Sequence, residues 1–128
     1  MSDPALNQTL FGIDGAALEL HSRRMGLLTS NIANAATPGY KARDIDFASA
    51  LKSELSSTSS GASEDDATDK AIASATQYRV PVMPSLDGNT VDMGTEQVAF
   101  SENATGYATS LQFLEQRVDT LTRAIKGE

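Results

Sequence analysis

The sequence predicts a mainly α protein whose long N- and C-terminal helices pair as a coiled-coil-like hairpin around a short extended and disordered middle segment. Three observations predict it. From Met93 to Ile125 the apolar residues Met93, Phe100, Ala104, Tyr107, Leu111, Leu114, Val118, Leu121 and Ile125 are separated by seven residues, then by alternating fours and threes. That spacing draws one narrow heptad stripe on a helix roughly 50 Å long. A second stripe, Leu6, Leu10, Ile13, Ala17, Leu20 and Leu27, opens the chain. Only 5% of residues are aromatic and Trp is absent, so a compact globule built on large rings is disfavoured.

The N-terminal helix is expected to start at Asp3-Pro4, an N-cap acid followed by proline at the first helical position. Leu18, Met25, Leu28 and Ile32 form a second line beside the first, and Arg24 lies on the main stripe. Gly12, Gly15 and Gly26 weaken this helix, each by about 1 kcal/mol relative to Ala. It is expected to need the C-terminal helix as a partner. In packing against neighbouring copies, the small residues Ala17, Ala33, Ala104 and Ala108 would allow close approach.

Thr37 precedes Pro38 and is pushed out of the helical region, which ends the first helix by residue 36. Pro38-Gly39 predicts a type II turn with Gly39 at positive φ. Asn31 and Asn34 sit one turn before the break, placed either to bond freed backbone or to meet a partner. Tyr40 to Phe47 reads as a short extended segment with Ile45 and Phe47 on one side. Asp44 and Asp46 alternate with Arg43, which suggests local ion pairs.

Residues 37–92 thus form a middle section of turn, extended segments and a mobile Ser/Asp-rich loop. Ala48 to Leu55 could add one or two helical turns, but Ser56 to Asp66 has almost nothing to bury and is expected to stay mobile. Gln77 to Pro84 reads as an edge strand or extended arm limited by Pro81 and Pro84. Asp87-Gly88-Asn89 is a turn, and Asp92 is the expected N-cap of the C-terminal helix, residues 93–128.

The net charge of −7 is spread along the chain, with no basic patch, which argues against nucleic acid and against an anionic membrane surface. No stretch is long and apolar enough for direct membrane insertion, and the first residues lack the pattern of a cleaved secretory signal. There are no cysteines. His21 has no acid or nucleophile spaced to form a dyad and reads as a surface or packing residue. No phosphate loop, metal spacing or nucleophile elbow appears, so no catalytic site, cofactor or metal is expected.

Read as residues alone, a marginal hairpin with interior glycines should gain stability by packing against copies of itself; a non-polymerising helical-hairpin adaptor or secretion chaperone is the alternative. Ser30-Asn31-Ile32-Ala33-Asn34, then Thr37-Pro38-Gly39-Tyr40, resembles the signature closing the N-terminal helix of the flagellar axial proteins. Lys41 to Phe47 narrows the resemblance to the proximal subunits of the rod family. Asp87 to Asp92, Glu102-Asn103, Tyr107 and the ending Ala124-Ile125-Lys126-Gly127 are similar to that group's C-terminal helix. Ala36, Gly94 and Gly106 depart from the usual residues.

The resemblance implies a structural subunit of the flagellar basal-body rod, assembled in the periplasm and carrying torque toward hook and filament. It implies export by the flagellar type III system without a cleaved signal peptide. Neighbours would be other copies of the chain, adjacent rod proteins, the FliE adaptor and the export gate. The expected assembly residues are Leu10, Ile13, Leu20, Leu27, Asn31, Asn34, Pro38, Gly39, Tyr40, Ile45 and Phe47, and on the second helix Asn103, Tyr107, Leu111, Leu114, Val118, Leu121 and Ile125. Both ends of the free chain are expected to be largely disordered before assembly.

Overall fold

The computed structural model describes the backbone of residues 4–60 and 64–127, and side chains from residue 11 onward except those of 58, 59, 64 and 65. Asp3 and the side chain of Leu10 therefore lie outside what is described. The order is α1 (Pro4–Ala33), β1 (Arg43–Ile45), α2 (Phe47–Ser59), α3 (Glu64–Ala75), β2 (Thr76–Tyr78) and α4 (Met93–Lys126).

Helices α1 and α4 pack antiparallel: Asn31 meets Glu96, His21 meets Asn103 and Asp14 meets Arg117. The long paired helices of the sequence reading are thus present, and in the single chain they span Pro4–Ala33 and Met93–Lys126 where largely disordered ends were expected. Helix α1 is broken at Gly12, whose φ of 49° and ψ of −138° are non-helical. A Cβ there would also come within 2.7 Å of an Arg117 guanidinium nitrogen. Glycine is the residue that tolerates both the positive φ and the close approach. Helix α4 begins as expected, with the Asp92 carboxylate accepting from the Thr95 amide at 3.2 Å. It ends on Gly127 at φ 77°, whose N–H reaches the Arg123 carbonyl.

The middle section differs most from expectation. In place of a mobile Ser/Asp-rich loop, residues 47–59 and 64–75 are helical and pack on each other. Asp46 does not pair with Arg43; it caps α2, accepting from the Ser49 amide and hydroxyl. Serines further along bond back to helix carbonyls, as Ser56 does to Ser53 and Ser60 to Ser56. Ala67, Ala71 and Ala75 recur every four residues and are buried, so α3 lies close against its neighbours without a large side chain. The buried Thr68 hydroxyl donates to Glu54 at 2.9 Å across the two helices.

Strands β1 and β2 pair antiparallel with Ile45 opposite Thr76, closing the base of this hairpin. Leu20, Ile45, Ala50 and Ala75 form the apolar centre, flanked by Leu27, Phe47, Leu51 and Ile72. Ile45 and Phe47 do face one way, into this cluster. The main apolar core therefore lies between α1 and the inserted hairpin, not between the two long helices.

Candidate functional site

The helix pair is held by a polar seam. The side chains of α4 that are buried are Glu96, Ala99, Asn103 and Ser110. With Gly106 they repeat in threes and fours, and Ala99, Asn103, Gly106 and Ser110 each stand one residue before a member of the predicted apolar stripe. One residue is about 100° around a helix, so the apolar stripe is turned away from α1 by that angle.

Close approach explains the turn. A Cβ on Gly106 would stand 2.5 Å from the His21 ring, so only glycine fits there. Small residues lie on the same face at Ala99 and Ser110. The Asn103 amide nitrogen donates to the His21 carbonyl at 2.8 Å, and its oxygen lies 2.8 Å from His21 Nδ1. With that amide orientation, Nδ1 carries the hydrogen and donates it. The His21 ring stacks on Phe47 at 4.2 Å between centroids. His21 is therefore a packing hub joining α1, α2 and α4.

Nearer the base, a charged network joins α1, β1 and α4 through Arg79, the residue after β2. Arg24 grips Asp44 with two hydrogen bonds of 2.8 Å. That hydrogen bond raises the Arg24 pKa above its usual value, against the opposing effect of burial. Arg79 donates to Asp44 at 2.9 Å and faces Glu96 at 3.3 Å. Glu96 is 0% exposed, and its other oxygen accepts from Asn31 at 3.0 Å. Asn31 also donates to the Arg43 carbonyl and accepts from Tyr40 and the Arg43 amide. Asp44 thus pairs with Arg24 and Arg79, not with Arg43.

The segment closing α1 is read by the turn preceding α4. Asn34 bonds the Ser30 carbonyl, a helix-ending contact. The buried Asn89 amide reaches the carbonyls of Asn34, Ala35 and Thr37 at 3.0, 3.0 and 2.8 Å. Tyr40 N bonds Thr37 O across Pro38-Gly39, with Gly39 at φ 75°, matching the expected turn. Gly39 bonds Asp87 and Thr90 bonds Tyr40 through the backbone, while the Thr90 hydroxyl accepts from Ala42. Asp87 is held below the usual carboxylate range, first by the Asn89 amide and then by Ser85.

The predicted assembly residues therefore divide. Leu20, Asn31, Ile45 and Asn103 are buried within the chain, and Leu27, Asn34, Tyr40 and Phe47 are half-buried against it. Pro38 and Gly39 are exposed at the turn. On the outward stripe Tyr107, Leu114 and Leu121 are half-buried, while Leu111, Val118 and Ile125 are exposed, as is Ile13 on α1. Sequence reasoning missed His21, Arg24, Arg79, Asn89 and Glu96 as binding elements of the hairpin; Arg24 on the apolar line of α1 was the readable signal. Among the described residues, no His, Asp and Glu cluster could hold a metal, and no helix is long and apolar enough to cross a membrane.

Comparison with known proteins places this architecture. Residues 15–41 match the family model for "Flagella basal body rod protein". That window holds the end of α1, Asn31, Asn34 and the Pro38-Gly39 turn. A flagellar basal body rod protein FlgB of Cereibacter sphaeroides is 49% identical over 120 residues, covering 91% of this chain and 94% of the relative. The chain belongs to the FlgB family of flagellar basal-body rod proteins. Its kinship extends to FlgB of Aeromonas hydrophila, 43% identical over 92% of this chain and 93% of the relative. FlgB of Escherichia coli is 42% identical over 87% of this chain and 88% of the relative. The role that follows for this FlgB family member is structural, within the flagellar rod of the basal body.

Proposed function

We propose that the chain builds the rod by lateral helix packing and so helps carry torque from motor to hook and filament. The observation that supports this is the division of α4 into two seams. The polar and small seam is used up inside the monomer, whereas the heptad stripe through Leu111, Val118 and Ile125 is open to solvent. An exposed heptad stripe on a long helix is completed by another helix. In the rod its partners are other copies of the chain and adjacent rod proteins, with the FliE adaptor and the export gate at the near end. Segments 1–36 and 93–128 act as the packing part, and 37–92 braces them. The subunit reaches its periplasmic site through the flagellar type III system without a cleaved signal and works without catalysis or cofactor.

Replacing Leu111 and Val118 together by Ser tests this. The free protein should keep its helicity and lose less than about 1 kcal/mol of stability, as expected for exposed positions. The same variant should fail to restore swimming to cells lacking their own copy and should be missing from isolated basal bodies. Full swimming with normal incorporation would overturn the proposal.

A further inference from the structure

Helix α1 stops following α4 at Gly12. Up to that point the two helices keep one antiparallel register, with Asn31 at Glu96, His21 at Asn103 and Asp14 at Arg117. Past it, α4 runs on from Arg117 to Lys126, about 14 Å. The face of α4 that carries the seam continues through Leu121 and Ala124, four and seven residues beyond Arg117. Yet Ala124 is exposed, Leu121 is only half-buried, and Ile125 beside them is 87% exposed. The last turns of the seam are thus uncovered, although α1 has residues 4–11 left to cover them.

The sequence of that segment matches the uncovered turns. In a continuous helix Leu10 stands one turn before Asp14 and Leu6 one turn before Leu10, along one side. Leu121 stands one turn after Arg117, and Ile125 one turn after Leu121. Extending the Asp14–Arg117 register therefore sets Leu10 against Leu121 and Leu6 against Ile125, apolar on apolar at both steps. Residues 4–11 carry no charged side chain, so none resists being laid down there.

The break is held from α4. One arm of the Arg117 guanidinium lies 3.2 Å from the Asp14 carboxylate, and the other comes within 2.7 Å of where a Cβ on Gly12 would stand. Gly12 itself, at φ 49° and ψ −138°, has a conformation that glycine takes without strain, and glycine takes the helical one as well. We propose that Gly12 is a hinge and residues 4–11 a strap. The strap swings from the bent form, pinned by Arg117, to a straight form that closes over Leu121 and Ile125. In the straight form the open stripe of α4 stops at Val118, so the hinge sets how much of α4 a neighbour can reach. That consequence rests on the rod-subunit reading above; the hinge itself does not.

Spin-label distances in the purified full-length chain test the hinge. Native cysteine is absent, so Gln8→Cys and Thr122→Cys carry the labels, and in continuous helices neither position falls on the facing line. The straight form gives a short, narrow distance set by a helix spacing of about 8–10 Å plus two label arms. The bent form gives a longer one. Gly12→Ala should raise the ratio of short to long about tenfold, because Ala is strained at positive φ and favoured in a helix. Gly26→Ala, whose Cβ meets nothing within 4 Å, improves α1 without touching the hinge and should leave the ratio unchanged. Adding Leu121→Ser to Gly12→Ala should weaken the short distance again, since the strap loses its apolar seat. A parent chain already wholly in the short form, a long distance persisting in Gly12→Ala, an equal response to Gly26→Ala, or a short distance indifferent to Leu121→Ser would each overturn the hinge. None of these measurements involves motility or incorporation, so the rod-subunit reading and the hinge fail separately.

Discussion

The base of the helix pair and the far end of α4 are built on opposite plans. At the base, charged and amide groups of α1, β1, α4 and Arg79, just after β2, are bonded to one another, and Glu96 is 0% and Asn31 1% exposed. At the far end, Val118 is 44% and Ile125 87% exposed, and apolar side chains face water. A monomer built only for its own stability would place these the other way round. Buried polar groups cost desolvation and repay it through geometry, because each demands a particular partner. The base fixes which face of α4 turns inward, and the apolar stripe is left for neighbours.

The largest effect should come from breaking the base. Arg79→Leu leaves the buried Glu96 carboxylate with the Asn31 amide but no cation, and about 3–5 kcal/mol of stability should be lost in urea unfolding. Adding Glu96→Gln should recover part of that loss, since the stranded charge is then gone. A single variant of near-native stability would show that the network does not hold the pair.

Gly106→Ala sharpens the comparison at the middle of the pair. Helix propensity alone favours Ala by about 1 kcal/mol. The new methyl, however, would stand 2.5 Å from His21. Overpacking of this kind costs about 1–3 kcal/mol, so thermal unfolding should move to lower temperature. A rise would mean that α1 and α4 are further apart than described.

The smallest effect lies in the turn that reads the end of α1. The Asp87 carboxyl has its pKa lowered by the Asn89 amide and Ser85. Its contribution is therefore present above the ordinary aspartate range and is lost as the pH falls through the lowered value. Unfolding measured across acidic pH should fall less steeply in Asp87→Asn than in the parent chain. Identical slopes would remove Asp87 from the account.

Much of this was readable before the structure. The period of α4, its Asp92 cap and the Pro38-Gly39 turn follow from local chemistry, and each is present. The direction of the stripe was not readable, because periodicity says which residues share a face, not what that face meets. The inward seam of Glu96, Ala99, Asn103, Gly106 and Ser110 carries no hydrophobic signal at all. Helix α3 was hidden by its charges, although Ala67, Ala71 and Ala75 repeat at helical spacing. Arg79 and Glu96 are 17 positions apart in the chain, so only the fold shows them as a pair.

Thiol labelling of two full-length variants, Ser110→Cys and Val118→Cys, compared free and in isolated basal bodies, tests the two-seam arrangement most directly. The account predicts slow labelling of position 110 in both states, and rapid labelling of position 118 in the free protein that becomes slow in the rod. Protection of position 118 in the free protein, or rapid labelling of it within the rod, would contradict it.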